Sequence, residues 1–151
     1  YENPIQKMMG SMIRTLTPLL TRLDIAIFEA EDKIGFITSD HPCVWFDSDA
    51  YRRPPLYRAP ALMYQTIEIT LPVSPRQCVC LSRLGIGGYL PATEAIVNEF
   101  NRRTRFHADK YFVVIRNETK PIWFDAGVEP DDSWDKLHGH KDDEADEKGD
   151  S

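Results

Sequence analysis

The densest run of side chains able to do chemistry is Thr38-Ser39-Asp40-His41-Pro42, which follows directly on the apolar stretch Ile34-Gly35-Phe36-Ile37. Polar loops at strand ends are frequent sites of catalysis, because a rigid element holds an exposed tip. Asp40 as base and His41 as acid would suit proton transfer, and either type could ligate a metal. A turn explains the same residues: Asp accepts backbone N–H bonds locally, and Pro42 fixes the chain beyond it. Successive residues on an extended segment point to opposite sides, so Asp40 and His41 are not placed to act on one atom. The turn reading is preferred. His107, at the end of a helical pattern, completes the candidate catalytic set with Asp40 and His41.

Ser39, Arg76, Asn98 and Arg102 are the candidate ligand-binding residues. Asn98 and Arg102 stand four apart and so share one helix face. Arg76 closes the run Pro72-Val73-Ser74-Pro75-Arg76. Arg52, Arg53 and Arg58 with Tyr51 and Tyr57 form a basic-aromatic cluster of the kind that stacks on single-stranded nucleic acid. They lie in a Pro-rich segment that reads first as solvated surface. Gly85, Gly87 and Gly88 lack the spacing and the Lys-Ser/Thr of a phosphate loop. Three cysteines, Cys43, Cys78 and Cys80, cannot pair off completely. Cys78 and Cys80 share a face on any strand and read as small buried thiols of a reducing compartment. A zinc site would need a second ligand pair, so no metal is assigned and the cofactor stays unknown.

These residues need elements to position them. Ile5, Met8, Met9, Met12, Ile13, Leu16, Leu19, Leu20 and Leu23 follow helical spacing over Pro4 to Leu23, with Asn3 as N-cap and Pro4 at the first position. The stripe reads as packing, with Pro18 kinking or dividing the helix. Asp24–Glu31 and Ile34–Ser39 read as a hairpin turning at Asp32 and Lys33. Asp47–Pro60 reads as an exposed excursion, Thr66–Leu71 and the segment from Gln77 to Ser82 as strands, and 85–88 as a loop. Thr93–Ala108 is the second helix, with Ile96, Val97, Phe100, Thr104, Phe106 and His107 on its apolar side and Arg102, Arg103 and Arg105 at the surface. Tyr111–Ile115 is a continuous apolar run expected to be a central, covered strand. Hairpins with helices at the two ends imply α+β: a small, mainly antiparallel sheet covered by two main helices.

The chain has 151 residues, of which 42% are hydrophobic and 28% charged, enough for one domain with its own core and too apolar for disorder throughout. From Glu129 to Ser151 ten acidic residues face three lysines, so the net charge of −6 resides in that tail and the first 128 residues are near neutral. A neutral body supplies no general attraction to nucleic acid or anionic membrane. The expected organisation is one domain over 1–128 and a disordered acidic tail over 129–151, in which Trp134, His138 and His140 are embedded. With Tyr1 first and no signal-like start, the chain is expected to be the C-terminal part of a longer protein.

Three blocks occur in order: Phe36-Ile37-Thr38-Ser39-Asp40-His41-Pro42, then Ile67-Glu68-Ile69-Thr70-Leu71-Pro72-Val73-Ser74-Pro75-Arg76, then Val97-Asn98-Glu99-Phe100-Asn101 leading to Ala108-Asp109-Lys110-Tyr111-Phe112. Over roughly Leu23 to Ile115 the chain resembles the C-terminal half of family 4238 among the domains of unknown function. His41 stands where that family has Asn. The resemblance implies a cytoplasmic protein of unassigned activity, with a His-Tyr-Val-Pro motif expected ahead of Tyr1. The favoured functional expectation is a polar cleft that binds a ligand or the protein's own N-terminal region. The alternatives are a nuclease-like or phosphoesterase hydrolase completed by that N-terminal motif, and a single-stranded nucleic-acid-binding module. No membrane partner is expected.

Overall fold

A computed structural model describes residues 4–125, with side chains from Met8 onward. The expected tail, with its boundary at 129, lies outside the described residues. The elements are α1 (Pro4–Leu20), β1 (Asp24–Ala30), β2 (Thr38–Ser39), β3 (Val44–Asp47), two 3₁₀ turns (Ala50–Arg52 and Pro55–Tyr57), β4 (Ile67–Ser74), β5 (Gln77–Ser82), β6 (Gly88–Ala92), α2 (Glu94–Phe106), β7 (Phe112–Val113) and a third 3₁₀ turn (Pro121–Phe124). Five strands form one sheet in the order β3-β4-β5-β1-β6, and β2 and β7 form a separate pair. All pairings are antiparallel except β1 with β6. The architecture is α+β with a mainly antiparallel sheet.

Strand alternation divides the sheet into two faces. Ala26, Phe28, Ala30, Cys78, Cys80 and Ala92 point to the side covered by α2, where they meet Phe36, Val97 and Phe100. Phe28 and Phe100 meet edge to face with centroids 5.4 Å apart. On the other face Ile67, Ile69, Leu23 and Leu62 form a second cluster, joined by Leu16, Leu19 and Leu20 of α1. Thr93 caps α2, its Oγ1 accepting from the Ile96 N–H at 3.5 Å.

Several expectations change. The methionine stripe of α1 is not core: Met8, Met9, Met12 and Ile13 are 53–65% exposed. Only the last turn of the helix reaches the sheet, and α1 is a single helix ending two residues beyond Pro18. The expected hairpin of Asp24–Glu31 with Ile34–Ser39 does not form. β1 pairs with β5 and β6 instead, and Phe36 and Ile37 are both buried, which breaks the two-residue period of a strand. Gly35 (φ 75°) turns the chain away, and the Phe36 N–H bonds the Pro75 carbonyl at 2.8 Å. The expected central strand shrinks to β7, with Tyr111, Val113 and Ile115 exposed, because its partner β2 is two residues long. The expected glycine loop yields β6, an edge strand where Pro91 needs no N–H to donate. Arg102 and Arg103, expected at the surface, are 6% and 7% exposed.

Candidate functional site

The Ser39–His41 turn is held almost entirely by backbone partners. Ser39 Oγ accepts from the His41 N–H at 3.1 Å. Both Asp40 oxygens are engaged, accepting from the N–H groups of Asp109 (3.0 Å) and Lys110 (2.8 Å). The Asp40 N–H in turn bonds the Tyr111 carbonyl at 3.3 Å. Asp40 therefore pins the turn after β2 to the segment between α2 and β7. Desolvation alone would raise its pKa. The N–H donors of Lys110, Asp109 and its own backbone, helped by His41, outweigh that and hold the carboxyl below its ordinary 3.8. The His41 side chain is exposed, and His107 at the end of α2 has its Nδ1 2.9 Å from the Arg103 carbonyl oxygen.

The candidate ligand residues divide between two places. Asn98 and Arg102 line one recess of about 460 Å³ on α2, together with Glu94, Ala95, Glu99 and Ile122. Their polar atoms have partners inside the fold. Asn98 Oδ1 accepts from the Nε1–H of the fully buried Trp123 at 3.1 Å, and Arg102 grips both oxygens of Glu99 at 2.9 and 3.0 Å. Arg76 lies elsewhere, its Nη1 donating to the carbonyls of Ala30 and Asp32. Asp40 bonds the segment before β7, Arg76 the end of β1 and Arg102 its helix neighbour Glu99.

The two motif blocks do share a cleft, but not through those charged residues. Phe36, Ile37 and Thr38 form one wall, Pro72 to Pro75 another, and Val113 and Ile115 the rim of a cleft of about 400 Å³. Its lining is apolar apart from Thr38 and Ser74. The blocks meet where the backbone of Gly35 touches the Pro75 carbonyl so closely that any Cβ at position 35 would collide with it. β3 pairs with β4 only as far as Thr70, so the same edge of β4 carries no ladder partner from Leu71 to Ser74. A register shift between Pro72 and Ser74 marks a bulge in that stretch.

Three residues that order the site escaped the sequence reading. Asn101 is fully buried, accepting from the Ile37 N–H at 3.0 Å and donating to the Gly35 carbonyl at 2.9 Å. It thereby fixes the cleft wall to α2. Arg103 bonds Glu68 at 2.6 Å and Glu99 at 2.7 Å, with its guanidinium 3.6 Å from the Phe46 ring centroid. Burial would raise the Glu99 pKa, but Arg102 and Arg103 draw it below the usual carboxylate value. The buried position of Asn101 on the third block was the available signal, since a polar residue at i+4 from Val97 falls on the core face. Nothing local marked the Glu68–Arg103 pair.

The other chemistry-bearing groups are occupied too. Arg53 pairs with buried Asp47 and stacks 3.8 Å from the Tyr64 centroid, and Arg58 is 6% exposed with Nε on the Arg53 carbonyl. The basic-aromatic cluster thus folds partly inward. Burial pushes the Cys78 and Cys80 thiols up to about 12, with Cys80 adding to the effect at Cys78 and Glu68 at Cys80. Among the described residues no group of three or more His, Cys, Asp or Glu is placed to hold a metal ion, and no helix is long and apolar enough to cross a membrane.

A family model described as a protein of unknown function (DUF4238) matches residues 2–119, extending well ahead of the three motif blocks. No curated protein and no solved structure matches the chain.

Proposed function

The chain belongs to the DUF4238 family of proteins of unknown function, and from that premise we propose that this domain binds an extended, apolar polypeptide segment in the cleft between Thr38 and Pro72–Pro75. One observation carries the reading. The cleft runs beside the stretch of β4 from Leu71 to Ser74 that β3 leaves unpaired, and apolar side chains line it. An extended segment added there would gain backbone hydrogen bonds from the strand edge and burial of alternate side chains from the cleft, which is how sheet edges recognise peptides. The segment is supplied by a region of the same polypeptide or by a partner.

Within this reading Asp40, Arg76 and Asn101 are positioning residues. They hold the turn beyond Thr38 to the segment before β7, the end of the Pro72–Pro75 wall to the end of β1, and the Gly35–Ile37 segment to α2. Ser39 closes its own turn, and Asn98 and Arg102 bond Trp123 and Glu99 in the separate recess on α2. The hydrolase alternative asks Asp40 to act as base or metal ligand with His41 or His107 assisting. Both Asp40 oxygens accept backbone N–H bonds, and His107 has its Nδ1 on the Arg103 carbonyl, while His41 is exposed.

The test uses an array of ten-residue peptides of alternating apolar and polar residues. Val73, Val113 and Ile115 are 52–63% exposed, so charged replacements do not disturb the core. Val73→Asp and Val113→Asp are expected to weaken peptide binding at least about tenfold while thermal stability stays within error. Undiminished binding by both variants, or no peptide bound by the parent chain, overturns the reading.

A further inference from the structure

The excursion between β3 and β4 presents four consecutive exposed residues, Pro54, Pro55, Leu56 and Tyr57, in the order Pro-Pro-x-Tyr. Leu56 is 85% exposed and Tyr57 58%. The flanks are firmly seated. Arg53 pairs with buried Asp47, Arg58 is buried against the Arg53 carbonyl, and Tyr64 Oη donates to the Tyr57 carbonyl at 3.1 Å. The fold thus holds the tip out on two anchored posts. Arg53 (φ −94°, ψ 153°) and Pro54 (φ −55°, ψ 146°) have extended backbones, and Pro54 lies close to polyproline II. The Tyr57 ring makes no described hydrogen bond.

We propose that Pro54–Tyr57 is a docking motif for a small partner domain of the WW class, whose aromatic-lined groove takes proline rings and a tyrosine. Two adjacent prolines preset φ, so an aromatic groove can pack their rings with little loss of chain entropy. Tyr57 then supplies a flat apolar ring with one polar tip, a favoured anchor at interfaces. The segment holds no Pro-x-x-Pro, which disfavours the SH3 mode of proline recognition. The Arg52 side chain beside the motif is 67% exposed but already pairs with Asp49 at 3.6 Å, so the recognition rests on the proline and tyrosine rings. One adjustment is required. Pro55–Tyr57 is a 3₁₀ turn closed by the Tyr57 N–H on the Pro54 carbonyl (2.8 Å) and the Arg58 N–H on the Pro55 carbonyl (3.4 Å). Pro54, Pro55 and Tyr57 are exposed, so solvent can take over the Tyr57 N–H and both carbonyls as the tip extends into the groove. Buried Arg58 keeps its seat on the Arg53 carbonyl and gives up only the long 3.4 Å bond.

The motif contributes no residue to the cleft, so this inference stands apart from the peptide-binding reading. The experiment titrates an isolated WW domain of Pro-Pro-x-Tyr specificity into the full chain by calorimetry, with a synthetic peptide spanning residues 52–59 as a parallel arm. Saturable one-to-one binding is expected, weakened more than about tenfold by Pro55→Ala or Tyr57→Ala and unchanged by Val73→Asp. Circular dichroism confirms that the variants stay folded. Binding by the peptide but not by the chain overturns the proposal, because the fold would then withhold the motif. So does binding that survives Tyr57→Ala, an SH3 domain binding equally well, or no binding in either arm.

Discussion

Asp40 illustrates how a reactive-looking side chain can be committed to architecture. Its two oxygens satisfy two backbone N–H groups, and those donors favour the charged form. Because its folded pKa lies below the unfolded value, the unfolded chain binds more protons over the interval between them, and stability there rises with pH. The contribution is complete above the unfolded value of about 3.8 and fades as pH falls through the folded one. Asp40→Asn is therefore expected to melt lower than the parent at neutral pH, and the gap should close on acidification below that value. Thermal melts across pH 2–7 (a range of about five pH units) check it; a gap independent of pH would deny the carboxylate this role. The cysteines give a second residue-scale prediction. Cys43 is exposed, while Cys78 and Cys80 are buried with thiols pushed up to about 12. Thiolate is the reacting form, so native protein should be alkylated at Cys43 alone and denatured protein at all three positions, read by mass spectrometry.

At the scale of elements, α2 organises everything near the cleft. Asn101 satisfies one donor and one acceptor of the segment leading into β2, and both would be stranded in the interior by Asn101→Ala. A loss of about 1–3 kcal/mol per stranded group is expected in urea unfolding, together with weakened peptide binding. Arg103 ties the same helix to β4 through Glu68, with side chains 8% and 17% exposed. Arg103→Met leaves a largely buried carboxylate uncompensated and should cost about 3–5 kcal/mol. The double variant Glu68→Gln/Arg103→Met should recover much of that, since the penalty lies in the unpaired charge. Equal losses in single and double variants would show that packing, not charge, carries the effect. Helical periodicity found α2 to within two residues at each end, and alternation found β5 and the start of β4. β4 runs through Pro72 to Ser74 instead of stopping at Leu71, because Pro72 and Ser74 still pair with β5. The false hairpin arose because Ile34–Ile37 is apolar enough for a strand. Gly35's approach to Pro75, forty residues away in sequence, is invisible to a local pattern.

For the whole molecule, the sheet has two unequally covered faces. α2 closes one, and only the final turn of α1 reaches the other, leaving a methionine and isoleucine stripe in solvent. The motif blocks were legible as blocks, and all three lie within residues 2–119, which the family model matches. That they line an apolar cleft rather than a charged one was not legible, because which atom satisfies which depends on contacts between distant segments. Sequence by itself determined the fold class, both helices, the buried thiols and the concentration of acid in residues 129–151. Those properties follow from periodicity, composition and charge, which are local or additive. Tertiary structure alone decided strand partners, the inward turn of Arg102 and Arg103, and the use of Asp40 and Asn101 as fasteners. A buried polar group must find a partner wherever the chain brings one, and the partners of Asp40 and Asn101 lie more than sixty residues away.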